Sequence, residues 1–260
     1  MLFFLEFASR DVFQKEMSLA RAGDQIDAKR GGWEFDENVV STFDEHVSKS
    51  VPGYSVGHEI VCGLTDYFVS NGSSVYEIGC STGSLLNKIA KTCEGKREVS
   101  FVGVDISEPM ITAAEANFGT SSLPGNNAMR FEVADISDFE LNNASMIVCY
   151  YTMQFIQPAI RQNIFNKIYE SLDWGGAFVL FEKVRGSDAR FQDIFTGLYH
   201  DYKMRAGYSA EEVVAKSQSL RGVMEPFSSQ GNRDLLSRAG FVDVETVYKN
   251  ICFEGFLSVK

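Results

Sequence analysis

The segment Glu77-Ile-Gly79-Cys80-Ser81-Thr-Gly83 is where the chain concentrates residues that could do chemistry. It follows the apolar run Val75 to Ile78 and precedes Leu85, Leu86, Ile89 and Ala90, which share one helical face. A bend of small residues between a strand and a helix lets a ligand approach bare backbone and a helix N-terminus. Two chemistries fit it. Gly79 to Gly83 matches G-x-S-x-G, the nucleophile elbow of hydrolases, which needs a later acid and then a histidine. The chain has three histidines, His46, His58 and His200, and the late one lies in a helical stretch rather than after a final strand. The other chemistry is a nucleoside pocket. Asp105 ends the run Val99 to Val104 roughly 20 residues beyond Gly83, the place of a carboxylate that takes two ribose hydroxyls. Glu77, ahead of the first glycine, repels phosphate and suits a cationic ligand such as a sulfonium amino acid. Asp135-Ile136, at the end of the next run, offers a carboxylate for an adenine amine and an apolar side chain for the ring face.

Other residues add to this pocket. The pair Tyr150-Tyr151 closes an apolar run, and alternation along a strand sends the two rings to opposite sides, one of them toward the sulfonium. Tyr199, His200 and Tyr202 lie together on a helical segment, with His200 a candidate for proton transfer near neutral pH. Cys80 reads as a small packing residue. No metal-ligand spacing is present.

The elements that must hold these residues alternate. Strand runs at 74–78, 99–104, 130–134, 145–151 and 176–181 are separated by helical faces such as Met110, Ile111, Ala114 and Phe118, or Ile160, Ile164, Phe165 and Ile168. Pro109 sits where the first turn of a helix tolerates it. Such alternation predicts a doubly wound, mostly parallel α/β sheet covered on both faces. Two runs at 240–248 and 251–259 with a short break predict a closing antiparallel hairpin. Residues 1–53 read as an irregular or helical lead-in over the pocket, and 54–260 as the ligand-binding domain. Within it, about 187–236 reads as a helical cap over the carboxyl ends of the strands. Its stripe is Phe191, Ile194, Phe195, Leu198, Tyr199 and Tyr202, and Ser209 with Glu212 fits a capping box.

With 260 residues, 45% hydrophobic and 23% charged, the composition is globular and excludes collagen-like, disordered and disulfide-scaffold classes. The net charge of −11, with Lys29-Arg30 and Lys96-Arg97 the only adjacent basic pairs, speaks against nucleic acid as a direct partner. Five cysteines without C-x-x-C spacing fit a reduced, cytoplasmic setting. The apolar start Met1 to Phe7 lacks a basic flank and is too short for a signal peptide or a membrane span.

Glu77 to Gly83, Asp105, Asp135-Ile136 and Gly175-Gly-Ala-Phe-Val-Leu180 resemble the motifs of class I S-adenosylmethionine (SAM) dependent methyltransferases. Within that superfamily the chain is most similar to the carboxy-S-adenosylmethionine synthases. The similarity rests on Trp33 to Glu37, Ser50 to Ser55, Gly79 to Ser81, Asn143 to Met146, Gln154-Phe155, Gly175 to Lys183, His200-Asp201 and Gly207 to Ser209, and runs from about residue 23 onward. It implies a homodimer and a SAM pocket built by Tyr54, Gly79 to Ser81, Asp105-Ile106 and Asp135-Ile136. Those synthases form carboxy-SAM from SAM and prephenate for modification of the wobble uridine of tRNA. Two of their ligand positions are changed. The expected asparagine falls on Tyr150, and the arginine that holds the new carboxylate falls on Ser217, with Arg221 one helical turn further on. A buried carboxylate needs a cationic partner, which serine cannot supply. The reading is therefore methyl transfer from SAM to a small-molecule acceptor, an in-line displacement that needs alignment more than a base. Carboxy-SAM synthesis and a non-catalytic SAM-binding protein are the alternatives.

Overall fold

The computed structural model describes residues 37–119 and 123–260, together with 20–21, 27–28 and 31. Most of the lead-in expected over 1–53, including the Trp33 to Asp36 match, lies outside the described residues. Seven strands form one sheet: β1 Ser74–Ile78, β2 Ser100–Asp105, β3 Ala128–Val133, β4 Ala144–Tyr150, β5 Leu172–Lys183, β6 Asp243–Asn250 and β7 Phe253–Val259. Their order is β3-β2-β1-β4-β5-β7-β6. The first five are parallel, and β7 runs antiparallel between β5 and β6. The closing hairpin turns on Ile251 and Cys252, a link too short for a parallel crossover.

The helices are α1 Phe43–Ser50, α2 Tyr54–Phe68, α3 Ser84–Thr92, α4 Glu108–Ala114, α5 Pro158–Ser171, α6 Ala189–Arg205, α7 Ala210–Ser219 and α8 Ser229–Ala239, beside a single turn at Glu37–Val40. Alternation along the strands divides the core in two. Val75, Met146, Val148, Val179 and Phe181 pack with Val61 of α2 and Leu86 and Ile89 of α3. Tyr76, Ile78, Ile147, Phe178 and Leu180 pack with Ile164, Phe165 and Ile168 of α5 and Leu235 and Leu236 of α8. The central strands are therefore apolar on both faces, as a parallel sheet buried between helices requires.

The strand order reverses between β1 and β4, so a crevice opens outside their carboxyl ends. α6 and α7 stand over it. The capping box that opens α7 is formed, with Glu212 N–H donating to Ser209 Oγ at 3.2 Å and Ser209 N–H to Glu212 Oε2 at 2.9 Å. The third helix of the expected cap, α8, instead packs on α5 against the sheet, because Leu235 and Leu236 are drawn into the second core. Among the described residues no helix is long and apolar enough to cross a membrane.

α2 crosses β4 closely at Gly57. A Cβ there would lie 2.1 Å from Tyr150 Oη, an oxygen that donates to the Tyr54 carbonyl at 2.6 Å. We expect Gly57→Ala to cost about 1–3 kcal/mol of stability through overpacking. Tyr150→Phe removes the clashing oxygen, so the double variant should lose less than the two single losses combined. Denaturant unfolding of the four proteins measures this, and strict additivity would contradict it.

Candidate active site

The site starts at the end of β1. Gly79 (φ +73°) turns the chain, and Gly79 and Cys80 both donate to the Val104 carbonyl, at 2.7 and 3.1 Å. A Cβ on Gly79 would sit 2.2 Å from Thr152 Oγ1, which itself donates to the Ile78 carbonyl at 3.0 Å, so glycine is required. Ser81 holds φ +48°, an uncommon state for a residue with a side chain. Its N–H donates to Asp105 Oδ2 at 2.9 Å, while Ser107 N–H donates to Asp105 Oδ1 at 2.9 Å. One carboxylate thus fixes the loops after β1 and β2 to each other. Thr82 Oγ1 donates to Asp44 of α1 at 3.0 Å, closing that side.

Between these strand ends and α1, α6 and α7 lies a cavity of about 860 Å³, inside the range of small-molecule pockets. Its charges are sorted by strand order. Asp44, Glu77, Asp105 and Asp135 line it on the side of β1, β2 and β3. Lys183 and Arg185 at the end of β5, Lys203 on α6, Lys216 on α7 and Arg221 beyond it line the other side, with Glu225 the acid among them.

Burial raises the Glu77 carboxyl well above the ordinary range, and the charges of Asp105 and Asp44 add to it. Glu77 is 3% exposed, and its Oε2 has no hydrogen-bond partner among the described residues. Burial also raises Asp105, against the lowering effect of its backbone donors. Asp135, near the mouth, is lowered because it accepts from Ser137 N–H at 2.8 Å and Ser137 Oγ at 2.7 Å. Across the cavity, burial and the charge of Lys183 push Lys203 down to about 8. Lys183 is lowered by burial and, secondarily, by Arg185.

Of the residues singled out from the sequence, Tyr54, Glu77, Gly79, Cys80, Ser81, Asp105, Ile106, Asp135, Ile136, Tyr150, Tyr151, Tyr199, His200 and Arg221 all lie on the cavity wall. Gly83 does not. It opens α3 and faces Phe131 and Ala114. Tyr202 is also off the wall, stacked on Tyr199 at 6.5 Å between ring centroids. The tyrosine pair departs from strand alternation: the rings of Tyr150 and Tyr151 meet edge to face at 4.7 Å in the same core. The reason is that β4 ends at Tyr150 and Tyr151 takes φ +63°, which swings its ring back beside its neighbour. Sequence reasoning missed the lysines. Lys183 ends the run Gly175 to Lys183, which carries part of the family resemblance. Lys203 stands four residues after Tyr199, the spacing that puts two side chains on one helix face.

The sheet order, the bend at 79–83 and the sorted cavity define a class I SAM-dependent methyltransferase fold. A family described as a methyltransferase domain matches residues 75–176. Human N-acetylserotonin methyltransferase in complex with SAM superposes with a TM-score of 0.60 at 18% identity, over 86% of this chain and 56% of that one. An O-methyltransferase-like protein from Nostoc punctiforme gives 0.59 at 12%, over 86% and 59%. These likenesses show the fold, and the chain spans little more than half the length of those solved chains. Among curated relatives, a carboxy-S-adenosyl-L-methionine synthase from Staphylococcus epidermidis is 37% identical over 88% of this chain and 97% of its own length. One from Wolinella succinogenes is 35% identical over 88% and 93%. The chain belongs to the carboxy-S-adenosyl-L-methionine synthase family, within the SAM-dependent methyltransferase enzymes.

The lowered Lys203 has a consequence for stability. Its pKa is about 8 in the fold against an ordinary 10.5. Below about 8 both folded and unfolded states carry the charge, and the burial penalty is complete. Between 8 and 10.5 the unfolded chain holds the proton that the folded chain has released, so stability rises with pH. We expect the ligand-free protein to gain up to about 3 kcal/mol over that window relative to Lys203→Met. Parallel pH dependences of unfolding for the two proteins would contradict this.

Proposed function

We propose that the protein joins SAM to a carboxyl group taken from a small anionic donor of the prephenate class, making carboxy-SAM. The division of the cavity into an acidic and a basic half carries this reading. A cationic sulfonium amino acid and an anionic co-substrate each find a half of opposite sign, and methyl transfer to a neutral acceptor needs no such basic half.

In this reading Asp105, held by two backbone donors, keeps its remaining lone pairs for the ribose hydroxyls. Ile106, 71% exposed, and Ile136 flank the adenine, and Asp135 takes its amine. The unpartnered Glu77 Oε2 and the backbone of Gly79 to Ser81 hold the amino acid end, where a cationic ligand relieves the mutual repulsion of Glu77, Asp105 and Asp44. Bound there, SAM supplies a sulfonium-activated methyl carbon, which exchanges a proton for a carboxyl group in one reading and is passed on whole in the other. His200, on the wall from α6, is the candidate for carrying a proton. Tyr151 and Tyr199 shape the co-substrate side.

The substitutions at Tyr150 and Ser217 support methyl transfer to a small-molecule acceptor as a second reading. The Tyr150 hydroxyl is committed to the Tyr54 carbonyl, and Ser217 brings no charge to the wall. The family likeness and the exposed stripe Phe191, Ile194 and Leu198 on α6 support a homodimer. Five free thiols suit a reducing cytoplasm, and the net charge of −11 argues against direct binding of nucleic acid.

Incubation of the purified protein with SAM and prephenate, followed by mass spectrometry, is expected to give a nucleoside heavier than SAM by one CO₂. Demethylated nucleoside with a methylated acid or phenol would favour the second reading, and no nucleoside chemistry at all would refute both. Asp105→Ala is expected to weaken SAM binding by about 10–100-fold in calorimetry with the fold intact by circular dichroism. Unchanged affinity would remove Asp105 from the pocket.

A further inference from the structure

We propose that Lys183 and Lys203, gathered on the ring of Tyr199, form the subsite that holds a carboxylate of the anionic co-substrate. The proposal rests on the two-substrate reading above and names the residues that serve it. Lys203 is 6% exposed and lines the cavity from α6. Its Nζ lies 5.3 Å from the centroid of the Tyr199 ring, and Lys183 Nζ lies 4.5 Å from the same centroid. Neither ammonium is ion-paired with a described carboxylate.

Removing an ammonium from water costs several kcal/mol unless an opposite charge repays it. The face of an aromatic ring returns about 0.5–2 kcal/mol. Two such groups placed together, each without an anion, therefore leave a deficit that a bound anion would fill. Of the cavity acids, Asp44, Glu77, Asp105 and Asp135 lie on the side of β1, β2 and β3, and Glu225, on the side of the lysines, makes no ion pair with either of them. Tyr199 donates its hydroxyl to the Ser50 carbonyl at 2.9 Å and packs edge to face on Phe253 at 5.2 Å. That pins the platform on which both lysines rest.

The arrangement also explains how this chain manages with Ser217. A carboxylate needs positive charge but no particular donor geometry, and two point charges on flexible stems meet that need. Lys183 reaches the cavity from the end of β5, beside the carboxyl ends of the strands, so the anion would be presented alongside the acidic half rather than at the outer rim.

The test is calorimetry on the full chain saturated with SAM, titrated with prephenate, for wild type, Lys183→Gln, Lys203→Gln and Lys203→Arg. Each glutamine variant is expected to bind prephenate at least about tenfold more weakly, with SAM affinity unchanged. Lys203→Arg should recover part of the loss. Steady-state assays should show the effect mainly in the KM for prephenate. Prephenate affinity that stays at the wild-type value in both glutamine variants overturns the subsite. So does an equal fall in SAM and prephenate binding with the fold intact. Inorganic phosphate that competes with prephenate at similar affinity overturns the carboxylate assignment. A wild type that binds prephenate through these lysines yet forms no carboxy-SAM upholds the subsite and refutes the product. Carboxy-SAM formed by both variants at wild-type KM does the reverse.

Discussion

The carboxylate of Asp105 is the joint on which the site depends. It accepts one N–H from the loop after β1 and one from the loop after β2, at 2.9 Å each. Those two loops belong to neighbouring parallel strands whose register pairs Ile78 with Val104. Their ends therefore already lie side by side, and the carboxylate needs only to bridge them. Ser81 can stay at positive φ because its N–H has this charged acceptor, which offsets the conformational cost of a left-handed residue with a side chain. Without the bridge, neither the bend nor the exposure of Ile106 beside it would be fixed.

A second constraint follows from the strand order. In a sheet ordered β3-β2-β1-β4-β5, residues at the ends of β1, β2 and β3 are held apart from those at the end of β5. Among the described residues no ion pair joins the acids of the first group to the bases of the second. Like charges are gathered on each side instead. Burial raises Glu77, with the charges of Asp105 and Asp44 adding to it, and burial lowers Lys203, with the charge of Lys183 adding to it.

Much of this could be read from residue order. The β1 loop, the strand-end acids and the hairpin follow from period and spacing, because parallel strands must be apolar throughout and their polar residues collect at the ends. The capping box at Ser209 was legible because it is a local exchange between two side chains and two N–H groups. What could not be read was conformation at single residues. Nothing in the letters Tyr150-Tyr151 shows that the second takes φ +63°, so alternation placed the rings wrongly. The basic half was hidden for a different reason. Lys183, Lys203 and Lys216 come from three elements whose meeting depends on how α6 and α7 fold back over the sheet, and that is a tertiary fact. Likewise α8 follows the cap helices in sequence, but Leu235 and Leu236 draw it into the second core.

Tyr150 belongs to an aromatic cluster behind the cavity. The Tyr150 ring packs against Tyr54 at 5.1 Å and His58 at 4.8 Å, and Tyr54 meets His58 at 4.6 Å. His58 in turn accepts from Lys88 Nζ at 3.0 Å through Nδ1. Burial and the Lys88 charge press its pKa down to about 3, so the ring stays neutral and available as an acceptor. An amide at position 150 would reach neither the Tyr54 carbonyl nor these rings. The tyrosine fills the space and sends its hydroxyl into the first turn of α2. The end of the fourth strand thus puts an aromatic ring on the cavity wall, while the charged groups there come from β5 and α6.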